Sequence, residues 1–218
     1  MRLQSAIFDL DGTLLDSTGF WTPFSHEMLG IPMDQPAPDL RPEFRQRTPR
    51  EAAVRCKERF GFSQSVEELT ELFEHRVMTF YLHEVQPKPH VKEFLSILKM
   101  EGVWMYVATE AERTMAIKAL QQTGLWDSFR GILTCREIGH DKSTPEIYEG
   151  CMRRLRSNKR DTVVFEDSLR GIRTAKEAGF RVAAVYDPAS EPDQAEIQSL
   201  ADYYIHSYDE MFQANAID

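Results

Sequence analysis

Residues 5–17 read SAIFDLDGTLLDS, a short apolar run that ends in two carboxylates separated by one residue. Side chains alternate between the two faces of a strand, so Asp9 and Asp11 should leave the end of a buried strand on the same side. Two like charges this close require a cation. With Mg²⁺ present, one carboxylate can attack a phosphoryl group while the other exchanges a proton with the leaving oxygen and with water. The stretch therefore indicates a catalytic site.

Two structural alternatives explain parts of the same stretch. An Asp-Gly pair is also a common hairpin turn, and the pair alone does not exclude that interpretation. The spacing of Asp9 and Asp11 also begins an EF-hand calcium loop. Thr13 and Leu14, however, stand where that loop needs an acidic residue and a glycine, and Phe20 stands where it needs a glutamate. The EF-hand is therefore excluded. The interpretation of the Asp-Gly pair as a hairpin turn remains an alternative.

The sequence FDLDGTLLDS as a whole resembles the first motif of the haloacid dehalogenase-like superfamily. The resemblance implies an α/β fold: a Rossmann-like core whose parallel sheet is flanked by helices, with a small all-α cap inserted after the first strand. It also implies that Asp9 is the nucleophile and that Asp11 is the general acid and base.

Length, charge and cysteine content limit the class of protein. A chain of 218 residues with 42% hydrophobic content can form one large domain, or a core of about 150 residues with a small insert. A net charge of -9 argues against a nucleic-acid partner and means that an anionic substrate needs a locally cationic pocket. Three cysteines without metal spacing indicate reduced thiols and a cytoplasmic location. With no signal-peptide segment and no run of about 20 apolar residues, we expect no membrane association.

Residues 17–86 differ in character from the rest of the chain. Several prolines interrupt them, and no segment alternates with the period of a strand. Ser65 and Glu68 form a capping-box pattern that predicts a helix, and a second helix should run from Pro49 to Phe60 and stop at Gly61. The sequence thus predicts a helical cap domain over 17–86 and a core domain built from 1–16 and 87–218.

From Val91 onward, strands and amphipathic helices alternate regularly, as expected for a parallel sheet covered on both faces. The predicted strands are Val103–Ala108, Gly131–Thr134, Thr162–Phe165, Val182–Tyr186 and Tyr203–Ile205. In such sheets the ligand site lies beyond the carboxyl ends of the strands. The residues that follow each strand are therefore the candidates for chemistry.

Thr109 follows the first of these strands. Its hydroxyl, with the backbone N–H groups that follow, could hold phosphate oxygens, or it could cap the next helix. The position matches the second motif of the superfamily, which implies phosphate binding by Thr109 and Glu110. Glu110 departs from the small or amide residue expected there and would bring a charged side chain near the phosphate.

Lys142 lies in the sequence GHDKSTPEIY, just before a helix that Pro145 should start. The segment resembles the third motif, in which a lysine neutralises the nucleophile and the phosphate. The usual proline directly after that lysine is here Ser143. A lone surface lysine remains the structural alternative.

Residues 163–179 read VVFEDSLRGIRTAKEAG and resemble the fourth motif, with Glu166 and Asp167 after a buried strand. Paired acids at two strand ends of one sheet require a divalent cation, and oxygen ligands favour Mg²⁺. The resemblance implies metal ligation by Asp9, by the Asp11 carbonyl and by Asp167. Glu166 would be a further ligand or would lie next to the residues that bind the metal.

These features together predict a magnesium-dependent phosphatase that acts on a small phosphorylated metabolite through an aspartyl-phosphate. The alternative is a mutase similar to β-phosphoglucomutase, but that branch carries a cap histidine where this chain has Trp21. A receiver-type phospho-acceptor and a non-catalytic binding module are further alternatives. We expect a monomer, with a dimer as the alternative.

The cap offers four candidates for substrate binding: Trp21, His26, Arg47 and Thr48. For each of them the alternative is a purely structural role. The aromatic side chains could belong to the core of the cap, and the cationic side chains could lie on its solvated surface.

Overall fold

The computed structural model describes residues 3–44 and 47–212. Its strands form one large sheet and one small pair. They are β1 (Ser5–Phe8), β2 (Leu15–Asp16), β3 (Gln86–Pro87), β4 (Trp104–Thr109), β5 (Ile132–Thr134), β6 (Thr162–Glu166), β7 (Arg181–Val185) and β8 (Tyr203–Ile205).

The α-helices fall into a group between β2 and β3 and a group that alternates with the later strands. They are α1 (Trp21–Leu29), α2 (Arg41–Phe44), α3 (Pro49–Phe60), α4 (Val66–Thr79), α5 (Val91–Met100), α6 (Arg113–Gln122), α7 (Cys135–Ile138), α8 (Glu146–Arg154), α9 (Leu169–Glu177) and α10 (Gln194–Leu200). A π-helical turn, Phe80–Glu84, directly follows α4.

The large sheet has the strand order β5-β4-β1-β6-β7-β8, and every neighbouring pair is parallel. Phe8 and Phe165 contribute to the apolar cluster on one face, whereas Ile7 and Val164 contribute to the cluster on the other. Both faces are therefore covered, which explains why these strands are apolar without alternation. The predicted Rossmann-like α/β fold is confirmed.

The predicted strands are present, and their ends differ from the prediction by at most one residue. The first runs over Trp104–Thr109 instead of Val103–Ala108, so Thr109 belongs to the strand itself. The Asp-Gly pair after β1 does not join a hairpin, because β1 pairs only with β4 and β6, both parallel, in the part of the chain that the structure describes. Gly12 instead adopts a positive φ of 88° in the loop that leaves β1.

Helices α1–α4 form the segment between β2 and β3. Capping boxes at Thr48 and Ser65 start α3 and α4, and Gly61 ends α3 in the left-handed region. Phe24 and Phe73 are fully buried in an aromatic cluster at the centre of these helices. The two connections to the sheet pair with each other, since β2 and β3 are antiparallel.

The cysteines Cys56, Cys135 and Cys151 are buried and form no disulfide. Across the described ranges, each helix is too short or too polar to cross a membrane.

Candidate active site

Three carboxylates converge where β1 and β6 end side by side. Phe8 and Phe165 are partners in the parallel register, so Asp9 and the pair Glu166–Asp167 leave the sheet at the same edge. Asp9, Glu166 and Asp167 are all buried, and one carboxylate oxygen from each lies within 4.8 Å of the other two. The convergence that the sequence predicted at this edge is therefore present.

Lys142 reaches this cluster from the loop before α8 and is only 3% exposed. Its ammonium donates hydrogen bonds to Asp9 Oδ1 and, at 2.5 Å, to Glu166 Oε1. Burial opposes the charge on Lys142, but the two carboxylates outweigh it and raise its pKa well above the usual value. Burial also raises the pKa of Asp9 well above its usual range, against the opposing effect of Lys142. Lys142 thus stays charged beside the candidate nucleophile.

Glu166 is fully buried, and both of its oxygens have protein partners. Oε1 accepts from Lys142 and, at 3.0 Å, from the Tyr148 hydroxyl. Oε2 accepts from the Asp167 and Ser168 backbone N–H groups, each at 3.1 Å, and from the Ser168 hydroxyl at 2.9 Å. Burial would raise the pKa of Glu166, but Lys142 and Ser168 lower it below its usual value. This arrangement orients Lys142 toward Asp9.

Asp167 has fewer partners than Glu166. The Thr13 hydroxyl donates to its Oδ1 at 3.0 Å. Burial, followed by the charges of Glu166 and Asp187, raises the pKa of Asp167 to about 7. A Cβ atom at position 12 would lie 2.6 Å from Asp167 Oδ2, so Gly12 permits this close approach as well as the positive φ.

The acidic cluster fits a divalent cation. Three carboxyl groups face one ammonium group in a buried site, so ionisation of all three would leave a net negative charge there. The donors are all hard oxygen atoms, the ligand type that Mg²⁺ prefers. Asp9 and Asp167 are the better placed to hold it, because the oxygens of Glu166 are already engaged.

Asp11 lies apart from this cluster and is half-buried. The hydroxyls of Ser17 and Tyr81 both donate to its Oδ1, each at 2.6 Å. Tyr81 lies in the π-helical turn after α4, so this bond joins the helical segment to the loop after β1. Burial, followed by the Asp11 charge, raises the pKa of Tyr81 well above its usual value. The sequence marks Tyr81 only as an apolar position of the helix, so its contact with Asp11 is a residue role that sequence reasoning misses.

Thr109 and Glu110 lie at the end of β4. The Thr109 hydroxyl accepts from the Ala111 N–H at 3.0 Å, whereas the N-cap of α6 is Glu112. The alternative that Thr109 caps the helix is therefore wrong. The Glu110 carboxylate accepts two hydrogen bonds from Arg170, at 2.7 and 2.8 Å, so a guanidinium balances its charge. Arg170 lies in the quoted fourth motif, but nothing in its spacing links it to Glu110.

A cavity of about 470 Å³ lies between the sheet edge and the helical segment. Asp9, Asp11, Thr109, Glu110, Lys142 and Asp167 line one side of it, and Trp21 and Arg47 are among the residues of the other.

Two of the cap candidates lie outside this cavity lining. His26 is buried, and its Nδ1 lies 3.0 Å from the carbonyl oxygens of Ile31 and Pro32. Thr48 caps α3 together with Glu51. Neither side chain is among the residues that line the cavity, and local groups engage both of them.

Comparison with known proteins relates most of the chain to one family. The model of haloacid dehalogenase-like hydrolases matches residues 6–185. The bifunctional riboflavin kinase/FMN phosphatase of Arabidopsis thaliana is 27% identical over 208 residues, or 94% of this chain, which spans 54% of that protein. Hexitol phosphatase B of Escherichia coli K12 is 25% identical over 214 residues, covering 96% of this chain and 95% of that one.

A solved structure shows the same fold over the full length. CbbY from Rhodobacter sphaeroides, crystallised in complex with phosphate, superposes with a TM-score of 0.77 and 21% identity, covering 100% of both chains.

Proposed function

Because the chain belongs to the haloacid dehalogenase-like hydrolase family, we propose that it is a magnesium-dependent phosphatase that hydrolyses a small phosphorylated metabolite through an aspartyl-phosphate at Asp9. The observation that carries the proposal is the cavity in which Asp9, Asp11 and Lys142 meet beside the buried pair Glu166–Asp167. Relatives named as phosphatases support the same reaction class.

The first step transfers the phosphoryl group to the protein. An oxygen of Asp9 forms a bond to phosphorus while the bond between phosphorus and the leaving oxygen breaks, and Asp11 gives that oxygen a proton. Lys142 balances the negative charge that gathers on Asp9 and the phosphate. The Thr109 hydroxyl and the N–H of Glu110 would hold phosphate oxygens.

The second step releases inorganic phosphate. Asp11, now ionised, takes a proton from a water molecule whose oxygen attacks phosphorus, and the bond to Asp9 breaks. Bound Mg²⁺, held by Asp9 and Asp167, would supply positive charge that reduces the repulsion between carboxylate and phosphate. Each residue then returns to its starting state.

We take residues 17–86 as a cap domain that covers the site, and residues 1–16 with 87–218 as the core domain. A receiver-type module or a non-catalytic binding protein would not need both a helical segment over the site and the complete set of acids and lysine. Return of the phosphoryl group to substrate, as in a mutase, remains the alternative reaction.

The test is the variant Asp9→Asn, assayed for phosphate release with Mg²⁺ on a panel of phosphorylated metabolites. Loss of a covalent nucleophile costs on the order of 10⁶-fold, so turnover should vanish. Asp34→Asn is the matched control, since Asp34 is exposed and outside the cavity lining. The Asp9→Asn change removes one of three crowded carboxylates, so the melting temperature without Mg²⁺ should not fall.

Multiple turnover by a folded Asp9→Asn protein would contradict the assignment of the nucleophile. Chelation with EDTA should stop the wild-type reaction, and added Mg²⁺ should restore it. Undiminished hydrolysis in EDTA would contradict the metal dependence.

A further inference from the structure

The cavity lining includes an apolar patch, beside the charged side chains of Arg41, Arg47 and Glu74. Trp21, Phe44 and Met78 line it from the helical segment, and Met115 lines it from α6. All four side chains are only half-buried, although Trp21 and Phe44 lie against each other with ring centroids 5.1 Å apart. The protein thus leaves apolar surface available to whatever enters beside the phosphate.

The polar groups of the same cavity are mostly committed to the protein. Arg47 donates to the carbonyl oxygens of Pro42 and Glu43, at 3.0 and 3.2 Å. Glu112 accepts from the Met115 N–H at 2.9 Å, in the N-cap of α6. A polyhydroxylated leaving group would therefore bury hydroxyls without partners, which is costly.

Among the polar side chains that line the cavity, Arg41 differs from Arg47 and Glu112. Its side chain is half-buried and lines the cavity, and it makes no hydrogen bond or ion pair with the residues that the structure describes. Glu74 and Arg136, which also line the cavity, are exposed and screened by solvent. A half-buried guanidinium gains most from an anion in the ligand.

We propose that the leaving group of the natural substrate is an aromatic alcohol that carries a second acidic group: the ring lies against Trp21, Phe44 and Met78, and the acid pairs with Arg41. This proposal rests on the phosphatase function proposed above. It narrows the substrate class from phosphorylated metabolites in general to acidic aromatic phosphomonoesters.

The test compares glucose 6-phosphate, benzyl phosphate and 4-carboxybenzyl phosphate. All three are esters of primary alcohols, so the bond that breaks is of the same kind. We expect kcat/KM to rise by at least about tenfold from the sugar to the benzyl ester, and again to the carboxybenzyl ester. Any other order would overturn the proposal.

Two variants test whether Trp21 is responsible for the preference for an aromatic ester and Arg41 for the preference for a carboxylate. Trp21→Gln should reduce the advantage of benzyl phosphate over glucose 6-phosphate by about tenfold. The control Trp104→Gln changes an exposed tryptophan outside the cavity lining and should leave the ratio unchanged. Arg41→Met should abolish the advantage of the carboxylate, whereas Arg50→Met, at an exposed cap arginine paired with Glu67, should not. Unchanged ratios in Trp21→Gln or Arg41→Met would overturn the proposal.

Measurements of binding, without turnover, distinguish a failure of this proposal from a failure of the proposed phosphatase function. Calorimetry of Asp9→Asn with the same three esters should give the same order of affinity. If the wild type hydrolyses none of the esters but this order holds, the phosphatase assignment fails and the ligand class stands. If all three are hydrolysed without the order, only the ligand class fails. Should Trp21→Gln not fold, Met78→Gln takes its place with the same expectation.

Discussion

At the scale of single residues, the two acids of the first loop have different surroundings. Asp9 is buried and bonded to an ammonium group, whereas Asp11 is half-buried and bonded to two hydroxyls. A nucleophile benefits from a neighbouring cation that accepts the incoming phosphate charge, and a proton donor needs freedom from such a cation. The contacts therefore suit the separate roles proposed for Asp9 and Asp11.

The variant Asp11→Asn tests this division. The amide oxygen can still accept from Ser17 and Tyr81, but the side chain can no longer transfer a proton. General acid catalysis typically contributes about 10² to 10⁴-fold, so phosphorylation by an alkyl phosphate should slow by that factor. Phosphorylation by 4-nitrophenyl phosphate, whose leaving group needs no proton, should slow far less. Rapid-mixing kinetics of both esters measure the two rates, and equal losses would contradict the role of Asp11.

At the scale of elements, one buried aspartate joins both connections of the helical segment to the sheet. Asp187 follows β7 and is fully buried. Its Oδ2 pairs with the Lys88 ammonium at 2.7 Å, just after β3, and its Oδ1 accepts from the Thr18 hydroxyl at 2.7 Å, just after β2. Asp187 therefore ties both ends of the segment to the core through one carboxylate.

Asp187→Asn should destabilise the protein by about 3–5 kcal/mol, because Lys88 would be left buried without its counter-ion. Urea unfolding of Asp187→Asn, Lys88→Met and the double variant measures the coupling. The double variant should be destabilised by less than the sum of the single variants. The exposed pair Arg173–Glu196 provides the control, and Glu196→Gln should leave the midpoint of urea unfolding nearly unchanged, because solvent screens this pair. Additive losses at Lys88 and Asp187 would show that they are not coupled.

At the scale of the whole molecule, the cavity between the helical segment and the sheet is where we expect the choice between hydrolysis and phosphoryl return to be made. A mutase must protect the aspartyl-phosphate from water while its substrate reorients, and a hydrolase must admit water. Trp21 lines the cavity. The sequence resemblance leads us to expect a histidine at this position in a mutase, and an indole cannot act as a general acid or base. Hydrolysis is therefore the expected outcome.

Phosphorus NMR measures this outcome directly. The protein is incubated with Mg²⁺, β-glucose 1-phosphate and a trace of the 1,6-bisphosphate. Any sugar phosphate that is consumed should yield inorganic phosphate, with no net isomerisation. Glucose 6-phosphate that forms much faster than inorganic phosphate would establish the mutase instead.

Much of the molecule follows from local sequence signals. The strands from β4 onward, the start of α4 at Ser65 and the end of α3 at Gly61 were all predictable, because a capping box or a helix stop depends on residues a few positions apart. The meeting of Asp9 with Glu166 and Asp167 was also predictable, since the carboxyl ends of parallel strands share one edge of a sheet.

Other features depended on the tertiary structure. Tyr81 meets Asp11 across 70 residues, Arg170 meets Glu110 across 60, and Lys88 meets Asp187 across 99. The apolar patch around Trp21, and the position of Arg41, whose side chain has no hydrogen bond or ion pair among the described residues, likewise depend on how α1, α2 and α4 are placed around the cavity. The sequence by itself determined the acids, the lysine and the strands that carry them, because these follow short-range periodicity and strand ends. Only the folded chain decided which side chains orient Asp11 and what surface faces the substrate, because no spacing encodes how distant segments are placed against each other.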